Sequence, residues 1–400
     1  MVGPMSSGIV DVHTHYTPPG MIEGFIEKGD EPYWQFLTTP DGRNQTEQGF
    51  VTAERMVEDM DAAGVAQAWL QAGYRQSGPG SREANDTVLG LAERFPGRIV
   101  PFVGINPAEG DAAIAELDRC VDRGARGVGE LNPYAQSCTL DGPEMHRLAE
   151  ACAERGLPMT LHMSEEVGRF YFGKSTPRLG EYYEFALRHP GLKLILAHWG
   201  GGLFFFEIMP LVRAQLSHVS YDTAASPLLY PSGQVFPVAL QCAGPEKILY
   251  GSDYPLRIVR GQTEASFDPF LAEIAALQLP ESAAAAILQG NAARLLDPAN
   301  PPRSPEPGLS PRLAEEVAAS RRLAERLDLP LDPFASVRLV AERYPATRPV
   351  FERYGIPYLN SPVPVWEPII QSAAARNIPL AALDGLMEEL DRAIGSEPAP

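Results

Sequence analysis

Eight short apolar, β-branched runs punctuate the first three hundred residues, and helical patterns fill the gaps between them. The runs are Ile9 to His15, Val65 to Ala72, Arg98 to Asn106, Ala125 to Asn132, Pro158 to Met163, Lys193 to His198, His218 to Thr223 and Lys247 to Tyr254. Most begin about thirty residues apart, the size of one βα repeat. Eight such repeats in succession predict a parallel sheet closed on itself, the α/β class (β/α)8 TIM barrel. The intervening helices carry ordinary signals: Asp141, Gly142 and Pro143 open one that places Met145, Leu148, Ala149 and Cys152 at helical spacing, and Gly156 closes it.

After Asp297 the pattern changes. Prolines with Ser, Asn and Gly crowd residues 298–312 and read as an extended linker. Beyond it, 313–400 predicts a small all-α domain, with helical patterns over Leu313 to Leu327, rich in Ala, Arg, Glu and Leu, over Ser336 to Tyr354 (broken near Pro345) and, as two short helices, over Trp366 to Ile394. The expected organisation is therefore a barrel over 1–297, a linker and a helical domain. With 33 basic and 51 acidic residues the chain carries a formal charge of −18, which repels phosphate backbones and anionic lipid. Nucleic acid and membrane are excluded as expected partners. Met1 to Val10 has neither a basic leader nor an apolar core, and Glu207 and Pro210 cut the most apolar later stretch, Leu203 to Val212. The four cysteines form no Cys-x-x-Cys pair, so a reducing, cytoplasmic setting is expected and thiolate metal chemistry is not.

The chemistry lies at the ends of the runs. With side chains alternating along a strand, Asp11, His13 and His15 fall on one face, and two imidazoles on an inward face at a strand's C-terminal end make a metal clamp. Taken alone, His-x-His is equally compatible with two hydrogen-bonded core histidines. The other ends decide it: Glu130 terminates the fourth run, His162 the fifth, His198 the sixth and Asp253 the eighth. Each polar residue closes an apolar run, the position of the catalytic mouth in a barrel. Buried imidazoles and carboxylates are costly without partners, and one divalent cation satisfies them together. His146, His189 and His218 are expected on the surface or in loops. The stretch from Tyr16 to Phe50, with Pro18, Pro19, Tyr33, Trp34 and Phe36, is longer than a βα connection needs and lies over the mouth as a lid or as a surface excursion.

Strand-one His-x-His, strand-five His, strand-six His and strand-eight Asp resemble the amidohydrolase superfamily. The contexts Val10-Asp11-Val12-His13-Thr14-His15, Ala197-His198-Trp199-Gly200-Gly201-Gly202 and Gly251-Ser252-Asp253-Tyr254-Pro255 are similar to its branch containing aminocarboxymuconate-semialdehyde decarboxylase. That branch implies one zinc on His13, His15, His162 and Asp253, with His198 as acid/base. Glu130 departs from it and resembles the two-metal deoxyribonuclease-like hydrolases, in which this Glu bridges two ions and His162 and His198 hold the second. The donor set suits Zn2+, in one or two ions, and is also open to Mn2+ and Fe2+.

Either site lowers the pKa of bound water, with Asp253 placed to accept and pass on a proton. On Glu130 the leading expectation is a hydrolase of a small-molecule amide, ester or lactone. The alternative is a non-oxidative decarboxylase of an aromatic or dienoic acid, with His198 as proton donor and Arg169 or Lys174, in the loop after the fifth run, holding the carboxylate. Trp199 is a further candidate substrate contact, and Gly200 to Gly202 allow a tight turn beside the site. In the tail, Val340 to Pro345 followed by Val350 to Tyr358 resembles the small helical domain that opens iron–sulfur cluster repair proteins. Leu359 and Asn360 stand where that family has cysteines, which leaves only a packing or oligomerising module and an expected homo-oligomer, a dimer.

Overall fold

The computed structural model describes residues 8–29, 31, 34–35, 38, 47–168, 171, 174, 178–303, 309–324, 331, 333–358 and 367–395; side chains of 319–324 and 380–381 are outside the description. Two compact units divide the chain, Met1–Pro307 and Gly308–Pro400.

The first unit is the eight-stranded barrel. Its strands are β1 (Ile9–His15), β2 (Val65–Gln71), β3 (Ile99–Val103), β4 (Gly127–Leu131), β5 (Met159–Leu161), β6 (Leu194–Leu196), β7 (Val219–Asp222) and β8 (Ile248–Leu249), parallel and in sequential order. Backbone bonds from Val12 N to Tyr250 O (2.9 Å), Asp253 N to His13 O (2.9 Å) and His15 N to Tyr254 O (2.7 Å) close the seam between β8 and β1. Val10, Val12, Trp69, Val100, Phe102, Ile195 and Leu249 form one buried cluster although they come from β1, β2, β3, β6 and β8. β6 is adjacent to none of the other four, so Ile195 meets them across the lumen and this cluster fills the barrel interior. The outward faces, among them Leu161, Leu194, Leu196, Val219 and Ile248, pack on helix residues such as Met145, Leu148, Phe185 and Phe270. Full burial of each large apolar side chain contributes about 1.5–3 kcal/mol.

Two expectations change here. β5, β6 and β8 are shorter than their apolar runs, so His162, His198 and Asp253 stand just past the regular ladder, where the chain turns at the mouth. On β1 simple alternation fails. The inward residues are Val10 and Val12, and a register irregularity between Asp11 and Thr14 resets the pattern before the two histidines. Asp11 does not join them: its Oδ1 accepts from the backbone N–H groups of His13 (3.0 Å) and Ser252 (3.1 Å).

The second unit has its own core, including Val337, Val340, Phe351, Ile369, Leu386 and Leu390, gathered from short helices such as Val337–Arg343, Arg348–Arg353, Ile369–Ala374 and Leu380–Gly395. Its first helix is Pro311–Ala324, two residues earlier at its start than the sequence pattern suggests because proline suits a first helical turn. Residues 325–327, the expected end of that helix, and Leu359, Asn360 and Trp366 lie outside the described residues.

Candidate metal centre

Six residues from five strand ends converge at the barrel mouth: His13 and His15 from β1, Glu130 from β4, His162 after β5, His198 after β6 and Asp253 after β8. His13, Glu130, His198 and Asp253 are buried, and His15 and His162 are half-buried at the rim. His13 Nε2 lies 3.2 Å from His15 Nε2, 3.7 Å from Glu130 Oε2 and 3.9 Å from Asp253 Oδ1. His15 Nε2 lies 3.6 Å from Glu130 Oε2 and 3.4 Å from Asp253 Oδ1. Nitrogen donors at 2.0–2.1 Å from a tetrahedral ion stand about 3.3 Å apart, so these spacings fit donors around one cation.

The tautomers support the same fit. His13 Nδ1 donates to Asp222 Oδ2 at 2.8 Å, which leaves the Nε2 lone pair of the neutral ring facing Glu130 and Asp253. Carboxylate oxygens only accept. A set of acceptors turned toward one another in a buried site needs a cation between them.

Glu130 has a second face. Its Oε1 lies 2.8 Å from His162 Nδ1 and 3.3 Å from His198 Nε2. The other ring nitrogens are occupied as well, His162 Nε2 by Ser164 Oγ (3.3 Å) and His198 Nδ1 by the Ala224 carbonyl (3.1 Å). Burial works against a charge on His13 and on His198, but neighbouring carboxylates win in both. Asp222 and Glu130 hold His13 above the ordinary imidazole range, and Glu130 and Asp253 push His198 up to about 9. His15, where burial dominates, is held below it. Burial resists ionisation of Glu130, yet His162 and His13 keep its carboxyl well below the usual range. The negative field that favours protons on these rings is equally a field for a metal ion.

The backbone that presents His198 is unusual. His198 (φ 56°), Trp199 (59°), Gly200 (57°), Gly201 (57°) and Gly202 (99°) all have positive φ. The run ends in a short 3-10 helix, Leu203–Ile208, and the turn is anchored where Asp222 Oδ1 accepts from the N–H groups of His198 (2.9 Å) and Ala224 (3.0 Å). Asp222 thus fixes two histidines at once, and the sequence reading missed it. The available signal was the one used at the other strands, a polar residue closing the apolar run of β7.

A buried aromatic pair behind the rim was also missed. Trp34 stacks on Tyr74 (5.2 Å between centroids) and donates its indole N–H to the Tyr74 carbonyl (2.7 Å). Trp34 stands edge-on to His15 at 6.3 Å, and Tyr74 edge-on to His162 at 5.7 Å. The long stretch after β1 therefore does reach the mouth through Trp34, while Tyr33 and Phe36 lie outside the described residues.

The substrate contacts expected from the sequence fare differently. Lys174 is committed to Glu165 (2.8 Å) in a buried ion pair beside Tyr171, so its charge is already matched. Trp199 is fully buried, donates to Ser226 Oγ (2.8 Å) and packs on Phe204 and Phe236, which makes it a core residue and not a wall of the site. Arg169 lies outside the described residues. His189 and His218, expected on the surface or in loops, lie in loops but are buried there, and His146 and His189 bond to each other at 2.8 Å.

The sequence model of one family, described as Amidohydrolase, matches residues 10–297, the whole of the barrel. The chain belongs to the amidohydrolase family. Among relatives it is 26% identical over 227 residues to gamma-resorcylate decarboxylase of Rhodococcus jostii (strain RHA1), a match covering 46% of this chain and 68% of that protein. Among solved structures it is similar to 2,6-dihydroxybenzoate decarboxylase from Rhizobium, with a TM-score of 0.53 and 20% identity over 72% of this chain and 98% of that one. It is also similar to 5-carboxyvanillate decarboxylase from Novosphingobium aromaticivorans with bound manganese, with a TM-score of 0.56 and 16% identity over 74% and 99%. The amidohydrolase barrel is an enzyme fold, and these relatives are decarboxylases of aromatic acids. They favour the decarboxylase alternative over the hydrolase that Glu130 led us to expect. No helix among the described residues is long and apolar enough to cross a membrane.

Proposed function

We propose that this amidohydrolase is a metal-dependent, non-oxidative decarboxylase of an aromatic carboxylic acid. The observation that carries the reading is the cluster of His13, His15, Glu130 and Asp253 donors facing one another at the barrel mouth, backed by the buried Trp34–Tyr74 pair. The names of the relatives support it. In this reading His13, His15, Asp253 and Glu130 would hold one divalent ion, while Glu130 Oε1 orients His162 and His198. Mixed nitrogen and oxygen donors suit Zn2+, and the manganese of related decarboxylases makes Mn2+ an equal candidate. When bound, the ion would supply a Lewis-acidic anchor for the substrate's oxygens.

The protein's own groups then have separate tasks. Asp253 delivers a proton to the ring carbon bearing the carboxylate; the bond from that carbon to the carboxylate breaks, its electron pair restores the aromatic ring, and carbon dioxide leaves. His198, the proton donor expected from the sequence, has Nδ1 3.9 Å from Asp253 Oδ2 and would take a proton from solvent and pass it to Asp253 before each turnover. Trp34 and Tyr74, buried behind the rim, brace the His15 and His162 rings edge-on.

The test is carbon dioxide release from 2,6-dihydroxybenzoate and 5-carboxyvanillate by chain reconstituted with Zn2+ or Mn2+, with metal content measured in parallel. Release that depends on one ion per chain, and is lost in Asp253→Asn at matched metal content, is expected. Two ions per chain with ester, lactone or amide cleavage and no carbon dioxide would overturn the proposal in favour of hydrolysis.

A further inference from the structure

Gln71 is a polar side chain where the barrel is otherwise filled with apolar ones. It closes β2 two residues past Trp69, whose ring belongs to the lumen cluster, so alternation turns its amide into the lumen as well. Its Nε2 donates to the Val12 carbonyl (2.9 Å) and more weakly to Thr160 Oγ1 (3.4 Å). Val12 is on β1 and Thr160 on β5, and β5 does not neighbour β2 in the sheet, so the amide reaches across the lumen. Its Oε1 is turned toward β4. A Cβ on Gly129 would fall 2.8 Å from that oxygen and 2.8 Å from Thr160 Cβ, and glycine leaves this room to the amide.

The three backbones that Gln71 reaches lead directly to the donors. Val12 precedes His13, Gly129 precedes Glu130, and Thr160 stands two residues before His162. The bond to Val12 falls where the ladder between β1 and β2 slips: Asp11 pairs with Ala68 and Thr14 with Leu70, which leaves Val12 and His13 without partners on β2. One extra residue of this kind bends a strand and re-aims a side chain. Here it aims His13, and the Gln71 amide bonds the carbonyl beside the irregularity. The next residue extends the link, because Ala72 N donates to the Phe102 carbonyl (2.9 Å) on β3 and is shared with the Gly129 carbonyl (3.2 Å) on β4.

We propose that Gln71 is a positioning residue of the metal centre, an amide strut beneath the donors that sets how His13 on β1 stands relative to Glu130 on β4 and His162 after β5. The inference rests on the reading above, in which these donors hold an ion.

Two observations separate this role from core filling. Among the described residues Oε1 has no hydrogen-bond partner although Gln71 is only 1% exposed, and an unpaired acceptor in a barrel interior is unfavourable. Leucine or methionine would fill the same volume without that oxygen. Nor can the amide turn over to relieve it, because the flip would set Oε1 against the Val12 carbonyl, acceptor on acceptor. The group is thus held in the orientation that serves β1, at the expense of its own oxygen. Departures from an apolar interior belong where a site needs them. Donors already fixed at their working spacing need little rearrangement when an ion arrives, so both affinity and coordination geometry depend on the strut.

The test is Gln71→Met in the full chain, which keeps the side-chain length and removes both polar ends. It unpairs the Val12 carbonyl but also removes the orphaned oxygen, so the metal-free protein should melt close to the parent. Zn2+ affinity, measured against a chromophoric chelator, should fall about tenfold or more, and the visible spectrum of the Co2+-loaded chain, which reads the arrangement of donors, should change in band position and intensity. Parent affinity and a parent spectrum overturn the inference; if they come with a lowered melting temperature, Gln71 is a core residue. Should the methionine variant fail to fold, Thr160→Val keeps threonine's shape and the Val12 bond while loosening the far end of the strut. It should alter the Co2+ spectrum and weaken Zn2+ binding about two- to threefold, and a parent spectrum with parent affinity there overturns the inference as well. A parent chain that binds neither ion refutes the donor-cluster reading and the strut together, whereas parent binding left unchanged by Gln71→Met refutes the strut alone.

Discussion

Replacing Asp222 by asparagine tests whether the centre depends on a carboxylate that never faces the mouth. In the parent, Oδ1 accepts from the N–H groups of His198 and Ala224 while Oδ2 accepts from His13 Nδ1 at 2.8 Å. Asparagine can keep only one of these arrangements. Two backbone donors require an oxygen, and leaving both without one costs roughly 1–3 kcal/mol each, so the amide oxygen stays on them and the NH2 group turns to His13. His13 must then accept at Nδ1 and carry its proton on Nε2, which removes a lone pair from the donor cluster. Loss of such an orienting partner typically weakens metal binding 10–100-fold, or about 1.4–2.7 kcal/mol. Competition between the protein and a chromophoric chelator for Zn2+ gives the affinity, and thermal denaturation of the metal-free chain checks the fold. Affinity within twofold of the parent, in a chain that melts normally, would show that Asp222 does not set the tautomer.

Gly127→Ala should lower Tm by several degrees, because a Cβ there would sit 2.2 Å from the Phe102 ring inside the barrel; an unchanged melt by calorimetry would show that the ring can move aside. Trp34→Ala removes a buried ring packed on Tyr74 and edge-on to His15 and should destabilise the metal-free chain by about 3–5 kcal/mol; an unchanged Tm would refute this. Glu116, opposed by burial but held down to about 2 by Arg119 and Asn85, contributes stability that is full above its unfolded value of 4.5 and is lost as pH falls toward 2. Glu116→Gln should therefore flatten the fall in Tm between those two pH values, and parallel melting curves for parent and variant would contradict the assignment.

The barrel was readable because each strand is a run of inward and outward apolar residues repeated at one period, and the site because five of those runs end in a polar residue. What escaped the sequence depends on distance or on irregularity. The alternation on β1 predicts Asp11 beside His13, and one register slip removes it. Trp34 and Tyr74 are separated by 40 residues and meet only when the long connection after β1 folds over the mouth. Lys174 looks like a free cation until Glu165 is seen beside it, and Trp199 looks like a pocket residue until the turn carries its ring into the core. Asp222 needed no new rule, only the same question asked of β7.

The run of positive φ from His198 to Gly202 bears on how this enzyme can change. Three of the five residues are glycine, for which that conformation is free, but His198 and Trp199 adopt it at a cost of roughly 1–2 kcal/mol each. Glycine at either position would relax the backbone, yet one choice deletes the imidazole and the other the ring that Phe204 and Phe236 grip. Here selection for activity and selection for a robust fold pull in opposite directions. Thermostabilised descendants of this chain should therefore accumulate their gains in the helices and loops, leaving the turn after β6 as it is.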